Sequence, residues 1–179
     1  MHTIKLVKLA AVFLAVTLPV IGFADIDCDV CPRESQMVNP GAEEAEATRR
    51  EFEKLINTYG ERLTNQDVEG ILELYSSDPV FMPEYAPPAV GRAGVRRAYE
   101  WVFATVKLNG RFAVHEAEIM GDRAWVRISS TGRFTVVATG VEADVANTEL
   151  FVFKRENGAW KIHRYIFTAS APPPEIMTK

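Results

Sequence analysis

The chain has 179 residues, 47% of them hydrophobic, and a net charge of −4. A mildly acidic balance excludes the clustered Lys and Arg excess that nucleic-acid phosphates demand, and it speaks against an anionic membrane surface. The length predicts one domain of ~100–150 residues, enough to bury a core without metal or disulfide support.

The first 24 residues inflate the hydrophobic total, with 17 hydrophobic residues, two lysines and no acid. Lys5 and Lys8 make a positive start. Leu9 to Ile21 is apolar, and Gly22-Phe23-Ala24 puts small residues at −3 and −1 of a cut before Asp25. This order predicts a secretory signal. The run is too short for a membrane span, which needs ~20 residues. Export to a periplasm or outside the cell is therefore expected, with no membrane contact after cleavage. Residues 25–41 read as a linker, free of aromatics and carrying Pro32, Pro40 and Gly41. Cys28 and Cys31 lie in it, spaced C-x-x-C, and an oxidising compartment favours a small local disulfide between them. A redox role is the alternative. No second C-x-x-C is present to build a zinc site.

Every aromatic residue beyond Phe23 lies between Phe52 and Phe167, so the core is expected there. A first helix is predicted over about 42–64, with Glu43, Glu44 and Glu46 at its start and Phe52, Leu55, Ile56, Tyr59 and Leu63 on one face. Asn65 or Asp67 caps a second helix bearing Val68, Ile71, Leu72 and Tyr75, ended by Ser77-Asp78-Pro79. Val80-Phe81-Met82 is a short strand and Pro83 to Pro88 a loop. A third helix runs over about 91–106, with Arg92, Arg96 and Arg97 as a basic cluster. The period then changes to two, giving strands at about 111–119, 123–137, 141–155 and 159–169. Asn157-Gly158 marks the last hairpin. Residues 170–179, with Pro172-Pro173-Pro174, read as a tail. Helices followed by antiparallel strands define an α+β domain over 42–169. Apolar residues in both phases of the strands mean that both sheet faces are covered, one by helices and the other by a cavity or a partner chain.

Three stretches then carry a family likeness. Tyr59 to Pro79, with Asp67-Val68-Glu69-Gly70-Ile71 and Tyr75 to Asp78, the turn Val90-Gly91-Arg92-Ala93-Gly94-Val95, and the hairpin Glu156 to Ile162 resemble the nuclear transport factor 2-like superfamily, in its SnoaL-like and ketosteroid-isomerase-like branch. The resemblance implies three helices packed in a strongly curved antiparallel sheet, a cone with an internal pocket, and a homodimer through the open sheet face. It implies isomerases, cyclases, dehydratases and non-enzymes alike. In the isomerase branch a helix tyrosine and a protonated carboxyl form an oxyanion hole, and a carboxylate acts as base. On that likeness Tyr59 and Glu149 fall at the oxyanion positions. The base position falls on Pro83, which accepts no proton, and Glu84 follows it.

The predicted pocket walls are Tyr59, Phe81, Tyr85, Trp101, Trp125, Phe151 and Ile166, with Glu149 and Arg164 as polar anchors that could pair. Strict alternation puts Trp160, Ile162, Arg164 and Ile166 on one face of the last strand, and Lys161, His163, Tyr165 and Phe167 on the other. His115 has no partners at metal-ligand spacing, so no metal and no cofactor are expected. The expected function is binding of a small apolar or amphipathic molecule, with cofactor-free proton transfer by Tyr59, Glu149 and Glu84 as its catalytic form. A non-catalytic interaction module of the same fold is the alternative.

Overall fold

The structure, a computed structural model, describes residues 40–170, with side chains from Gly41. The predicted signal, Cys28 and Cys31, nearly all of the linker and the tail beyond Ser170 lie outside the described residues.

Helix α1 (Pro40–Thr64) buries Phe52, Ile56 and Tyr59, spaced four and three apart, with Leu55 and Leu63 packed beside them. Glu43 in its first turn and Arg62 in its last suit the helix dipole. Gln66 takes a left-handed conformation at φ 56°, which turns the chain. Asp67 then caps α2 (Val68–Leu74) by accepting the Gly70 N–H at 2.9 Å, and it pairs with Arg62.

The chain becomes extended one turn earlier than the apolar spacing predicts. Tyr75 caps α2, its N–H donating to the Leu72 carbonyl, and in extended conformation opens β1 (Tyr75–Met82). A buried residue after Leu72 satisfies a helix end and a strand start equally, so periodicity alone could not separate them. Pro79 has no N–H for a ladder, and the register of β1 on its neighbour shifts between Tyr75 and Val80 to accommodate it. A short β2 (Ala89–Val90) pairs with β1, and Gly91, at φ 70°, leads into α3 (Gly91–Thr105). Arg92 reaches back to the Leu72 and Tyr75 carbonyls, and Arg96 pairs with Glu69 on α2. Arg92 and Arg96 therefore tie α3 to α2 and to the start of β1.

Four long strands follow: β3 (Val106–Met120), β4 (Arg123–Val136), β5 (Glu142–Glu156) and β6 (Ala159–Ala169). The sheet order is β2-β1-β6-β5-β4-β3, antiparallel except where β1 lies parallel to β6. The two edges do not pair, so the curved sheet stays open, and its concave face holds the core. Gly132 on β4 is paired with Gly110 on β3. A Cβ at Gly132 would collide with the Asn109 carbonyl and the Gly110 Cα, so the absent side chain is what lets these strands close up at the bend.

One irregularity decides which residues face inward. The pairing of β5 with β6 passes from Phe153↔Ile162 to Val152↔Arg164, which leaves His163 as an extra residue in a β-bulge. Before it, Trp160 and Ile162 are buried, as the strict alternation predicts. After it the phase is reversed: Tyr165 is buried, Phe167 packs against the core, and Ile166 is 44% exposed. The expectation that Arg164 and Ile166 share the inner face with Trp160 is therefore overturned. His163 is held at the bulge by Ser76, whose fully buried hydroxyl lies 3.2 Å from its Nδ1.

Candidate functional site

Between the helices and the concave sheet lies a cavity of about 570 Å³, within the range of small-molecule sites. Apolar side chains dominate its walls, among them Leu63, Val102, Leu108, Phe112, Phe134 and Phe167. Its polar groups lie deeper or at the mouth.

Glu149 on β5 is 3% exposed and borders this cavity. The alternation that buries Phe151 and Phe153 carries Glu149 inward with them. Burial raises its pKa, because the charged form loses solvation. Hydrogen bonds from Ser130 and Tyr165 oppose that rise without cancelling it. The Tyr165 hydroxyl lies 2.7 Å from Oε2. The expected ion pair with Arg164 does not form: the bulge turns Arg164 to the outer side, where its guanidinium donates to the Asp78 and His163 carbonyls.

A second polar string meets this one. The Tyr59 and Tyr99 hydroxyls are 3.0 Å apart, and those of Tyr75 and Tyr99 are 2.9 Å apart. Three hydroxyls hold three protons and share two hydrogen bonds, so one proton remains for a group outside the string. Tyr75 is fully enclosed, whereas Tyr59 borders the cavity and stands edge-on to Tyr165, 5.7 Å between ring centres. The spare proton is best used at the Tyr59 end, toward Tyr165 or a bound oxygen. All four tyrosines have pKa values pushed well above 10, by burial first and by the neighbouring tyrosines second, so they remain neutral donors.

Glu84 borders the same cavity at its mouth. Its carboxylate accepts from the Ala169 N–H at 3.0 Å and the Thr168 hydroxyl at 3.2 Å. Pro83 beside it contributes only apolar surface. Tyr59, Glu149 and Glu84 thus converge on one cavity.

The remaining predicted wall residues divide. Phe81 borders the cavity and stacks on Tyr99 and Tyr165. Tyr85 and Trp101 form the rim, 84% and 66% exposed, and Tyr85 holds a left-handed φ of 58°. Phe151 lies under the floor, stacked on Tyr165 at 4.0 Å, and does not border the cavity. Trp125 is a correction. Ala124 and Val126 point inward, so alternation sends Trp125 outward, where its Nε1 donates to Glu118. Ile166 is a correction for the reason given above. Sequence reasoning missed Tyr99, Tyr165, Ser130 and Asn147. Inward phase would have found Ser130 and Asn147 beside Glu149; the bulge hid Tyr165, and only packing brings the Tyr99 hydroxyl between two others. Among the described residues no group of three or more His, Cys, Asp or Glu side chains could hold a metal ion.

A helix-lined open cone with a cavity on its concave side is the nuclear transport factor 2-like architecture. Among solved structures, a ketosteroid isomerase-like protein from Erwinia carotovora atroseptica is 30% identical, with a TM-score of 0.64, 67% of this chain covered and 94% of that one. A protein of the NTF2-like family from Streptomyces avermitilis shares the fold at 16% identity and TM-score 0.63, with 70% and 99% covered. An NTF2-like protein with a cystatin-like fold from Novosphingobium aromaticivorans shares it at 18% and 0.57, with 81% and 97% covered. No curated protein matches the chain. A sequence profile of the SnoaL-like domain matches residues 39–163, and the protein belongs to that family.

Proposed function

We infer that the domain binds a small, largely apolar molecule whose oxygen accepts a hydrogen bond from the Glu149 carboxyl. The observation that carries this reading is the meeting of Tyr59, Glu149 and Glu84 at one cavity whose walls are mostly apolar. Burial favours the neutral form of Glu149, and in that form its carboxyl donates, so an oxygen that gains negative charge in a reaction would draw on it and on the spare proton of the tyrosine string. Glu84 is the candidate base at the mouth, so the catalytic form of the reading is proton abstraction beside a carbonyl, as in ketosteroid isomerase-like proteins. The test is deuterium exchange of the α-protons of 2-tetralone, followed by NMR in D2O. Exchange catalysed by the wild type, lost in Glu84→Gln and slowed in Tyr59→Phe, is the expected result. Binding without exchange would remove the catalytic part and leave the binding part standing.

The same reading has the chain exported, cut before Asp25, and paired as a homodimer through the outer sheet face, where the exposure of Leu150 and Ile166 supports a covered surface. N-terminal sequencing of the mature protein and sedimentation test these two points. A non-catalytic interaction module is the competing reading. The open cavity speaks against it, since a scaffold has no use for unfilled space lined by buried donors.

A further inference from the structure

Three of the polar residues that line the cavity are close neighbours on the sheet. Residues directly opposite each other on neighbouring strands share a face, and on β4 and β5 the inward pairs are Ile128↔Glu149, Ser130↔Asn147 and Gly132↔Val145. Glu149, Ser130 and Asn147 therefore form one short polar edge, while the facing helices and β3 present Leu63, Val102 and Phe112.

The hydrogen bonds within this edge determine what is left for a ligand. Asn147 Nδ2 donates to Ser130 Oγ at 3.1 Å, and Ser130 hydrogen-bonds Glu149. The single Ser130 proton is thereby spent on Glu149. Asn147 has used one of two N–H bonds and keeps the other, together with its carbonyl oxygen. Asn147 also pairs across strands with Ala169, whose N–H donates to Glu84. A donor, an acceptor and a nearby carboxylate acceptor fit a hydroxyl group. Glu149 and Asn147 are two residues apart on one strand, which separates them by ~7 Å.

We propose that the cavity selects a rigid apolar frame bearing two oxygens along one edge, an acceptor oxygen at Glu149 and a hydroxyl at Asn147. The proposal rests on the binding reading above and adds the spacing and chemistry of the second group. Asn147 is then the residue that determines specificity.

The probes are 2-naphthol, with one oxygen, and naphthalene-2,6-diol, whose two oxygens stand at a comparable separation on the same frame. Each is titrated by fluorescence into wild type, Asn147→Leu and Asn147→Ser. One additional neutral hydrogen bond predicts that the wild type binds the diol about five- to tenfold more tightly than the naphthol. Both variants are expected to bind the two probes equally, with wild-type near-UV circular dichroism reporting that the pocket is intact. Equal affinities in the wild type, or a diol preference that survives in both variants, would overturn the proposal while leaving the binding reading in place. Failure of the wild type to bind either probe would overturn both.

Discussion

Replacing Glu149 by Gln removes one titrating proton from the interior and keeps the shape of the side chain. The Gln carbonyl still accepts from Tyr165, and its amide occupies the space of the carboxyl hydroxyl. Little packing is lost, so the effect is electrostatic. The folded-state pKa of Glu149 lies above its ordinary value of 4.5, because burial penalises the charged form. Below the unfolded-state pKa both states carry the proton and the contribution of Glu149 to stability is fully present. As pH rises, the unfolded chain releases its proton while the folded chain retains it, and stability falls until the folded-state pKa is passed. One proton sets the maximum slope at ~1.4 kcal/mol per pH unit. The Glu149→Gln variant lacks this loss. Its stability minus that of the wild type should rise with pH above about 4.5 and level off once Glu149 is ionised in both states. Urea unfolding of both proteins from pH 4 to pH 8 measures the difference, and titrations elsewhere in the fold cancel in it. Parallel stability curves across the whole range would refute the assignment of Glu149 as a desolvated, protonatable carboxyl.

Tyr99→Phe removes the hydroxyl that bridges Tyr59 and Tyr75. Two lost hydrogen bonds and a stranded Tyr75 hydroxyl should cost about 2–3 kcal/mol in urea unfolding. Gly132→Ala forces a methyl against the Asn109 carbonyl and Gly110, and the resulting overpacking should cost about 1–3 kcal/mol, read as a lowered melting temperature. Deleting His163 removes the bulge residue, and because Arg164 then follows Ile162 directly, regular alternation keeps Arg164 and Ile166 outward and Tyr165 inward, with the Ser76 hydrogen bond lost. Retained cooperative unfolding in near-UV circular dichroism is the expected outcome, and its loss would refute His163 as the extra residue of the bulge. Trp101 is exposed at the cavity mouth, while Trp125 and Trp160 do not border the cavity. Quenching of tryptophan fluorescence by 2-naphthol should therefore disappear in Trp101→Phe.

What the chain declares by itself is its periodicity. The four-, three- and four-residue spacing of Phe52, Ile56, Tyr59 and Leu63 determines a helix and its buried face, and the change to period two after Gly110 marks the strands, although the first of them starts earlier, at Val106. Alternation with Phe151 and Phe153 is enough to turn Glu149 inward, and the family likeness puts it at an oxyanion position. These properties are local, and a helix or strand pattern expresses them over a few residues. Three matters were decided only in the tertiary structure. The bulge at His163 reverses the phase of β6, and it arises from the fit between β6, β5 and the buried Ser76 on β1, which no local pattern in 159–169 encodes. The string from Tyr75 through Tyr99 to Tyr59 joins residues 24 and 40 positions apart, because α1, β1 and α3 meet over one core. The polar edge of Glu149, Ser130 and Asn147 depends on the register between two strands, and a slip of one residue would turn one strand's inward set outward. Sequence determined which residues could build the site. Register and packing decided which of them share the cavity.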